Sequence, residues 1–300
     1  MNMIQLYTRN GAAVPPVGLG TFPFQGREMA DIVKRALKVG YKLIDTADDY
    51  RGEFGIGIAV SELDEVGLKR EDVFLQTKVT DDDSFANEPL TGIYFNKNSK
   101  YMMRHSVEDV VREKVSKSLY EMRTDYLDSL LIHQPYPSYM VDIWKVMIKL
   151  KEEGVVRYIG VSNFHERHIE MLINETGVCP SINEIYTSPI GSKQQLVDYC
   201  NQHSCVINTY SPLMDLAQGH IDADEIAPIA RKYGKSIAQI ILRWNIERGC
   251  MPLPKSKNPK RLVENFSVMD FVLTDDDMSE LSRMNKDYQH LVESLICPGL

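Results

Sequence analysis

Short apolar runs that suit strands alternate along this chain with longer stretches whose apolar residues repeat at helical spacing. Val17–Thr21 is the first strand-like run. Met29, Ile32, Val33, Ala36 and Leu37 then share one helical face, and Gly40 stands where a helix ends in a left-handed residue. The pairing continues in order. Leu43–Asp45 precedes a helix over Phe54–Val66. Val73–Thr77 precedes one from Ser106, its cap, to Met122. Leu127–Ile132 is followed by Met140–Glu153, Val156–Val161 by a helix from Glu166, and Ile182–Ile185 by Lys193–Gln202. Val206–Thr209 and Met251–Pro254 supply the last strands, with a helix over Ser236–Arg248 between them that Ser236 caps and Gly249 stops. Ahead of all this, Ile4–Tyr7 and Ala12–Val14 flank Arg9-Asn10-Gly11, a hairpin signal because Asn-Gly tolerates positive φ.

Eight strands alternating with helices imply an α/β fold with a parallel sheet, and eight is the number that closes a (β/α)8 TIM barrel. Periodicity alone leaves an open doubly wound sheet possible, but no G-x-G-x-x-G follows an early strand. A chain of 300 residues suits one such barrel, so residues 1–300 are expected to form a single domain with an N-terminal β-hairpin. One stretch breaks the rhythm. Residues 80–104, inserted after the third strand, carry Asp81-Asp82-Asp83, four aromatics and two lysines without an evident element. A loop of this length is either functional or disordered, and its start at the rim makes it a candidate substrate lid.

Composition narrows the partners. A hydrophobic fraction of 43% supports a full core, and a net charge of −8 argues against nucleic acid, which a basic surface recognises. Nothing points to a membrane partner: no run reaches spanning length. The five cysteines are odd in number and include no C-x-x-C, so neither a disulfide framework nor a zinc site is expected. The N-terminus lacks a signal-like apolar run. A cytoplasmic monomer, or at most a weak homo-oligomer, is the expectation. No metal site is expected either: His165 and His168 read as surface residues, and Asp222 and Asp224 as loop acids. Thr274 with Asp275-Asp276-Asp277 reads as a cap with an acidic first turn.

The polar residues that fall at the strands' C-terminal ends are more telling. Asp45, Tyr50, Lys78, His133, Ser162, Asn163, Glu184, Tyr210, Lys255 and Ser256 all load this rim, the active-site face of a barrel. A tyrosine is a weak acid, with an ordinary pKa of about 10, and a nearby lysine ammonium lowers it. Asp45 can hold Lys78 charged and in place, while His133 can donate to a substrate oxygen. Such a set suits protonation of an oxygen as a hydride reaches the adjoining carbon.

These residues sit in motifs. Leu43-Ile-Asp-Thr-Ala-Asp-Asp-Tyr50, Leu75-Gln-Thr-Lys78, Leu131-Ile-His-Gln134, Ile159-Gly-Val-Ser-Asn-Phe164, Thr209-Tyr-Ser-Pro-Leu213 and Leu253-Pro-Lys-Ser256 with Arg261 and Asn265 resemble, in order, the signatures of the aldo-keto reductase family, from about Val17 to Phe271. The resemblance implies an enzyme, an NADPH-dependent carbonyl reductase with NADPH/NADP+ as cofactor and a small-molecule aldehyde or ketone as substrate. It implies Tyr50 as proton donor in a tetrad with Asp45, Lys78 and His133. Ser162, Asn163 and Glu184 would meet the carboxamide, Tyr210 would stack on the nicotinamide, and Ser211 and Leu213 would lie by the pyrophosphate. Lys255, Ser256, Arg261 and Asn265 would surround the adenosine end, and Thr21 joins the cofactor set with Asp45. Phe22, Tyr50, His133 and Gln134 would line the substrate mouth.

The adenosine end also has a physical reading of its own. Asn258-Pro259 is a good N-cap and N1 pair, and the helix it starts points N–H groups and a positive dipole end at an anion between Lys255 and Arg261. A 2′-phosphate there favours NADPH over NADH. Three departures from the family pattern bear on substrate choice: Glu184 where glutamine is usual, Gln134 where tryptophan is common, and the long 80–104 interval. An alternative from another class is a cofactor-binding regulatory barrel with little turnover, against which the intact tetrad argues. A barrel hydrolase with paired carboxylates would leave Lys78 and the Lys255–Arg261 cluster unexplained.

Overall fold

In the computed structural model, which describes residues 8–9, 12–13, 16–80, 106–136 and 139–290, eight strands run in chain order round one sheet. They are β1 (Leu19–Gly20), β2 (Leu43–Asp45), β3 (Phe74–Val79), β4 (Leu127–Ile132), β5 (Val156–Ser162), β6 (Ile182–Tyr186), β7 (Val206–Tyr210) and β8 (Cys250–Leu253). Every neighbouring pair from β1 to β8 is parallel. The ring closes through two further hydrogen bonds: Gly18 N–H donates to Pro252 O at 3.0 Å and Gly20 N–H to Pro254 O at 3.3 Å. Closure needs glycine there, since a Cβ on Gly20 would sit 2.7 Å from Leu253 O. Two short antiparallel strands, Thr8–Arg9 and Ala12–Ala13, pair as an N-terminal hairpin, with Arg9 in a strand and not in the turn; the expected strand Ile4–Tyr7 lies outside the described residues.

The helices between the strands are α1 (Gly26–Val39), α2 (Glu53–Ser61), α3 (Val107–Met122), α4 (Met140–Glu152), α5 (Glu166–Thr176), α6 (Gln194–Gln202), α7 (Met214–Gln218), α8 (Ala223–Tyr233) and α9 (Ile237–Glu247), with α10 (Pro259–Phe266) and α11 (Asp275–Arg283) after β8. The predicted caps hold. Ser106, Ser236 and Thr274 each accept from the N–H three residues on, and Asn258 caps α10 ahead of Pro259. The main apolar core lies between the sheet and the helices, while Leu43, Phe74, Leu131, Ile182, Val206, Met251 and Leu253 fill one end of the barrel's interior. The rest of that interior is polar, and it carries the site.

Two readings of the sequence are corrected. Neither Asp222 nor Asp224 is a loop acid: Asp222 caps α8, accepting from Asp224 N–H at 3.0 Å, and Asp224 lies in that helix's first turn. Pro228 inside that helix hid its periodicity. His168 is not a surface residue either; it is fully buried on α5, where its Nδ1 accepts from the N–H of His165 at 3.0 Å. The 80–104 insertion lies outside the described residues, apart from Thr80.

Candidate active site

β2 ends on Asp45 and a turn of 3-10 helix over Asp48–Tyr50 lifts Tyr50 to the mouth. β3 carries Lys78 one residue before its end, fully buried. Lys78 Nζ lies 2.7 Å from Asp45 Oδ1, 3.1 Å from Glu184 Oε1 and 2.9 Å from the carbonyl of Thr46. Burial works against the ammonium, but Asp45 and Glu184 together outweigh it and hold its pKa above the ordinary value. Nζ stands 5.3 Å from the centre of the Tyr50 ring. Tyr50 Oη is 3.4 Å from His133 Nε2, which the end of β4 supplies. The four residues expected to act together are therefore adjacent.

The tyrosine's acidity departs from the simple expectation. Lys78 does push its pKa down, but burial is larger, and Asp45, Glu184 and Asp49 add to it, so the phenol's pKa stands above its ordinary value. The net effect of the site is to keep the phenol protonated.

Beneath the tetrad lies a layer that the sequence reading did not foresee. Gln76, fully buried two residues before Lys78, donates from Nε2 to Asp45 Oδ1 at 2.9 Å and to Glu184 Oε2 at 2.7 Å. Its Oε1 accepts from Ser129 Oγ at 3.0 Å and Asn208 Nδ2 at 3.1 Å. All four hydrogen-bonding positions of the amide are thus filled, which locks the two carboxylates against Lys78. Glu184 therefore sends its carboxylate into this layer; it is its backbone carbonyl that accepts from Ser162 Oγ at 3.0 Å and Asn163 N–H at 2.9 Å. Burial first, and Asp45 second, raise the Glu184 pKa. The alternation of inward side chains along β3 was the signal for Gln76.

The remaining rim residues take up these positions. Asn163 donates to His133 O at 3.2 Å and accepts from Tyr210 Oη at 2.8 Å. Thr21 Oγ1 donates to Asp45 O at 2.7 Å. Phe22 is 55% exposed, with its ring 5.0 Å from that of Tyr50 and 5.7 Å from Lys255 Nζ, so it joins the mouth to the β8 loop. Gln134 Oε1 accepts from Tyr136 at 2.8 Å. Leu213 packs on the apolar core. Ser211 is exposed, as are Lys255 and Arg261, while Ser256 accepts from Asn258 N–H at 3.1 Å.

The Aldo/keto reductase family profile matches residues 16–286. The chain belongs to the aldo/keto reductase family. It is accordingly an NADPH-dependent oxidoreductase acting on carbonyl groups. Among its relatives, the methylglyoxal reductase DkgA of Salmonella typhimurium is 36% identical over 280 residues, 93% of this chain and 92% of that protein. A glyoxal reductase of Bacillus subtilis is 35% identical, over 93% of this chain and 91% of its own. Among solved structures, a Bombyx mori aldo-keto reductase in complex with NADP superimposes with a TM-score of 0.80 at 29% identity, covering 95% of this chain and 94% of that one.

The rim of this aldo/keto reductase fits a dinucleotide. Asn163 and Ser211 take left-handed backbone (φ 63° and 48°) directly after β5 and β7, strained conformations that concentrate at ligand sites. Asn265 on α10 is 5% exposed, and its amide makes no hydrogen bond among the described residues. At the start of α10 the free N–H groups that a phosphate would seek are partly spoken for: Asn258 Oδ1 accepts from Lys260 N–H at 2.9 Å and Arg261 N–H at 3.4 Å. The cations beside it, Lys255 and Arg261, are left to meet an anion with their side chains. Among the described residues no cluster of three metal-ligating side chains occurs and no helix is long and apolar enough to cross a membrane.

Proposed function

We propose that this reductase converts a small aldehyde or α-dicarbonyl, of the methylglyoxal and glyoxal kind, to its alcohol, with Tyr50 as the proton donor. The observation that carries it is Tyr50 at the mouth between Lys78 and His133, with the phenol held protonated. NADPH, when bound, supplies the hydride. Tyr50 then gives its proton to the carbonyl oxygen as negative charge develops there. The Lys78 ammonium, fixed by Asp45 and Glu184, stabilises the phenolate left behind.

Ser162 and Asn163 are proposed to meet the carboxamide and Tyr210 to stack on the ring. Tyr210 then leaves Asn163 Oδ1, which it holds in this structure, and frees that oxygen for the amide. Ser211 and Leu213 belong to the pyrophosphate, and Lys255, Ser256, Arg261 and Asn265 to the adenosine phosphate end. Thr21 steadies the Asp45 backbone. Phe22, His133 and Gln134 line the substrate side. We also propose a cytoplasmic monomer, consistent with Cys179, Cys200, Cys205 and Cys250 standing as free thiols.

The test is NADPH consumption against methylglyoxal, glyoxal, monoaldehydes, ketones and keto-sugars. Turnover is expected, with the small dicarbonyls giving the highest kcat/KM. A clear preference for bulky ketones would overturn the substrate class.

A further inference from the structure

The two acids of the turn ahead of Tyr50 meet different surroundings. Asp48 is turned inward, its side chain 10% exposed, where Lys114 Nζ pairs with it at 3.0 Å and the Thr80 N–H donates to it at 3.1 Å. Asp49 stands at the mouth, its side chain 49% exposed. Its Oδ1 lies 3.7 Å from Nδ1 of His133, and Nε2 of the same ring lies 3.4 Å from Tyr50 Oη. One imidazole therefore separates this carboxylate from the phenol proposed to give its proton.

Little offsets the Asp49 charge. Among the described residues no lysine or arginine comes within ion-pair distance of it. His133 does, but burial, with the Lys78 charge second, pushes the imidazole pKa down to about 3, so the ring is uncharged near neutrality. The Lys78 ammonium acts on Asp49 from further off and is itself held by Asp45 at 2.7 Å and Glu184 at 3.1 Å. Burial and Asp48 raise the Asp49 pKa above its ordinary value, and Lys78 opposes them, so its charge is best tested at pH 8. The other wall of the mouth is apolar, with the exposed Phe22 ring 5.0 Å from that of Tyr50. Lys255 Nζ, 5.7 Å from the Phe22 ring, is proposed to serve the cofactor's phosphate end.

We propose that Asp49 is a specificity-determining residue that turns anionic carbonyls away from the Tyr50 site, so that this reductase takes uncharged or cationic aldehydes and α-dicarbonyls and discriminates against those that carry a carboxylate. The effect is through space. A substrate carboxylate beside the reacting carbonyl is repelled by Asp49 as it enters and for as long as it stays. The negative charge that develops on the carbonyl oxygen is common to all substrates and cancels when two are compared; the substrate's own carboxylate does not. Two like charges about a ring's width apart in a half-exposed mouth disfavour the anion about tenfold. The inference rests on Tyr50 marking the reacting centre, as proposed above.

Methylglyoxal and glyoxylate are close in size and differ in carrying a methyl ketone or a carboxylate beside the aldehyde. The experiment is the ratio of their kcat/KM values with NADPH at pH 8, for the full chain as wild type, Asp49→Asn, Asp49→Lys and Asp49→Glu. Asp49→Asn should lower the ratio of methylglyoxal to glyoxylate about tenfold, almost wholly through faster use of glyoxylate, and Asp49→Lys should lower it further. Asp49→Glu should keep most of the wild-type ratio. Added salt should lower the ratio in wild type and leave it steady in Asp49→Asn. A merely structural role would move both substrates together, so a ratio unchanged in the Asn and Lys variants would overturn the proposal. Acetate titrated into the NADP+ complex, followed by protein fluorescence, reads the same charge without turnover. It should bind the Asp49→Asn complex about tenfold tighter than wild type, and equal affinity would also overturn the proposal. If Tyr50→Phe stays active, or bulky ketones are preferred, it is the reading of the reaction that fails, and the acetate titration still decides the role of Asp49.

Discussion

One buried ammonium between two buried carboxylates is an unusual charge balance for a site proposed to leave a phenolate behind. Lys78 alone would favour loss of the Tyr50 proton, but burial outweighs it, and Asp45 and Glu184 add to burial, so the phenol's pKa lies above its ordinary value in the free protein. The phenol therefore keeps its hydrogen in the free protein. Tyr50→Phe should lower kcat/KM for carbonyl reduction on the order of a hundredfold or more, since general-acid assistance is worth that much. NADPH affinity, read by fluorescence titration, should stay within a few-fold of wild type. Near-normal turnover in the variant would refute the assignment. Glu184 permits a second test. With Asp45 and Glu184 both ionised, the cluster with Lys78 carries one net negative charge, which favours the positive ring of NADP+ over neutral NADPH. Because burial and Asp45 raise the Glu184 pKa, that charge is absent at low pH and appears as pH rises. In wild type the Kd of NADP+ relative to NADPH should fall between pH 6 and pH 9, by a factor of a few, for a contribution of about 1 kcal/mol at an effective dielectric near 20 or above. In Glu184→Gln the ratio should be flat. A wild-type ratio that is flat as well would remove Glu184 from cofactor discrimination.

At the scale of elements, α10 sets the Asn258 cap and the proposed adenosine-phosphate contacts at one helix start. Asn258 already satisfies the Lys260 and Arg261 N–H groups, so the preference for a 2′-phosphate should rest on side-chain charge. Lys255→Ala combined with Arg261→Ala should erase most of the discrimination of NADPH from NADH, through loss of charge-assisted bonds, while leaving NADH use close to wild type. Equal loss with both cofactors would argue for a folding role instead. The strands, and the adjacency of Asp45, Tyr50, Lys78 and His133, were legible because each rests on a local signal: Leu43–Asp45 and Leu127–Ile132 are runs of strand length bounded by helices, and the structure reproduces both ranges. Elsewhere the local signal failed. Pro228 broke the α8 pattern, and His168 is fully buried with the rings of Phe164 and His165 against it. The Gln76 layer draws Asp45, Ser129, Glu184 and Asn208 from four other strands, so no window of sequence contains it.

For the whole molecule, the most informative residue is one outside the reaction. Glu53, the first residue of α2, is 1% exposed and ties three elements together. Its Oε1 accepts from Thr77 on β3 at 2.6 Å, and its Oε2 from Ser118 on α3 at 3.0 Å. The packing there is close, since a Cβ on Gly57, one turn along α2, would meet Glu121 O at 1.9 Å. Two hydroxyl donors do not make up for lost water: burial lifts the carboxyl pKa from its ordinary 4.5 to about 7, with Asp48 and Glu121 adding repulsion. The sign for stability follows. Below the ordinary value both folded and unfolded chains hold the proton. Between the two values the unfolded chain ionises while the folded one stays protonated, so the folded state binds more protons and stability falls as pH rises. Above pH 7 the loss is complete and amounts to about 3 kcal/mol, at about 1.4 kcal/mol per pKa unit. Glu53→Gln keeps the shape and removes the titration. Urea unfolding of both proteins from pH 4.5 to pH 8 should show the variant gaining on wild type by about 3 kcal/mol across that range, because every other titrating group is common to the two and cancels in the difference. A stability difference that does not change with pH would mean that Glu53 is ionised throughout, held so by Thr77 and Ser118.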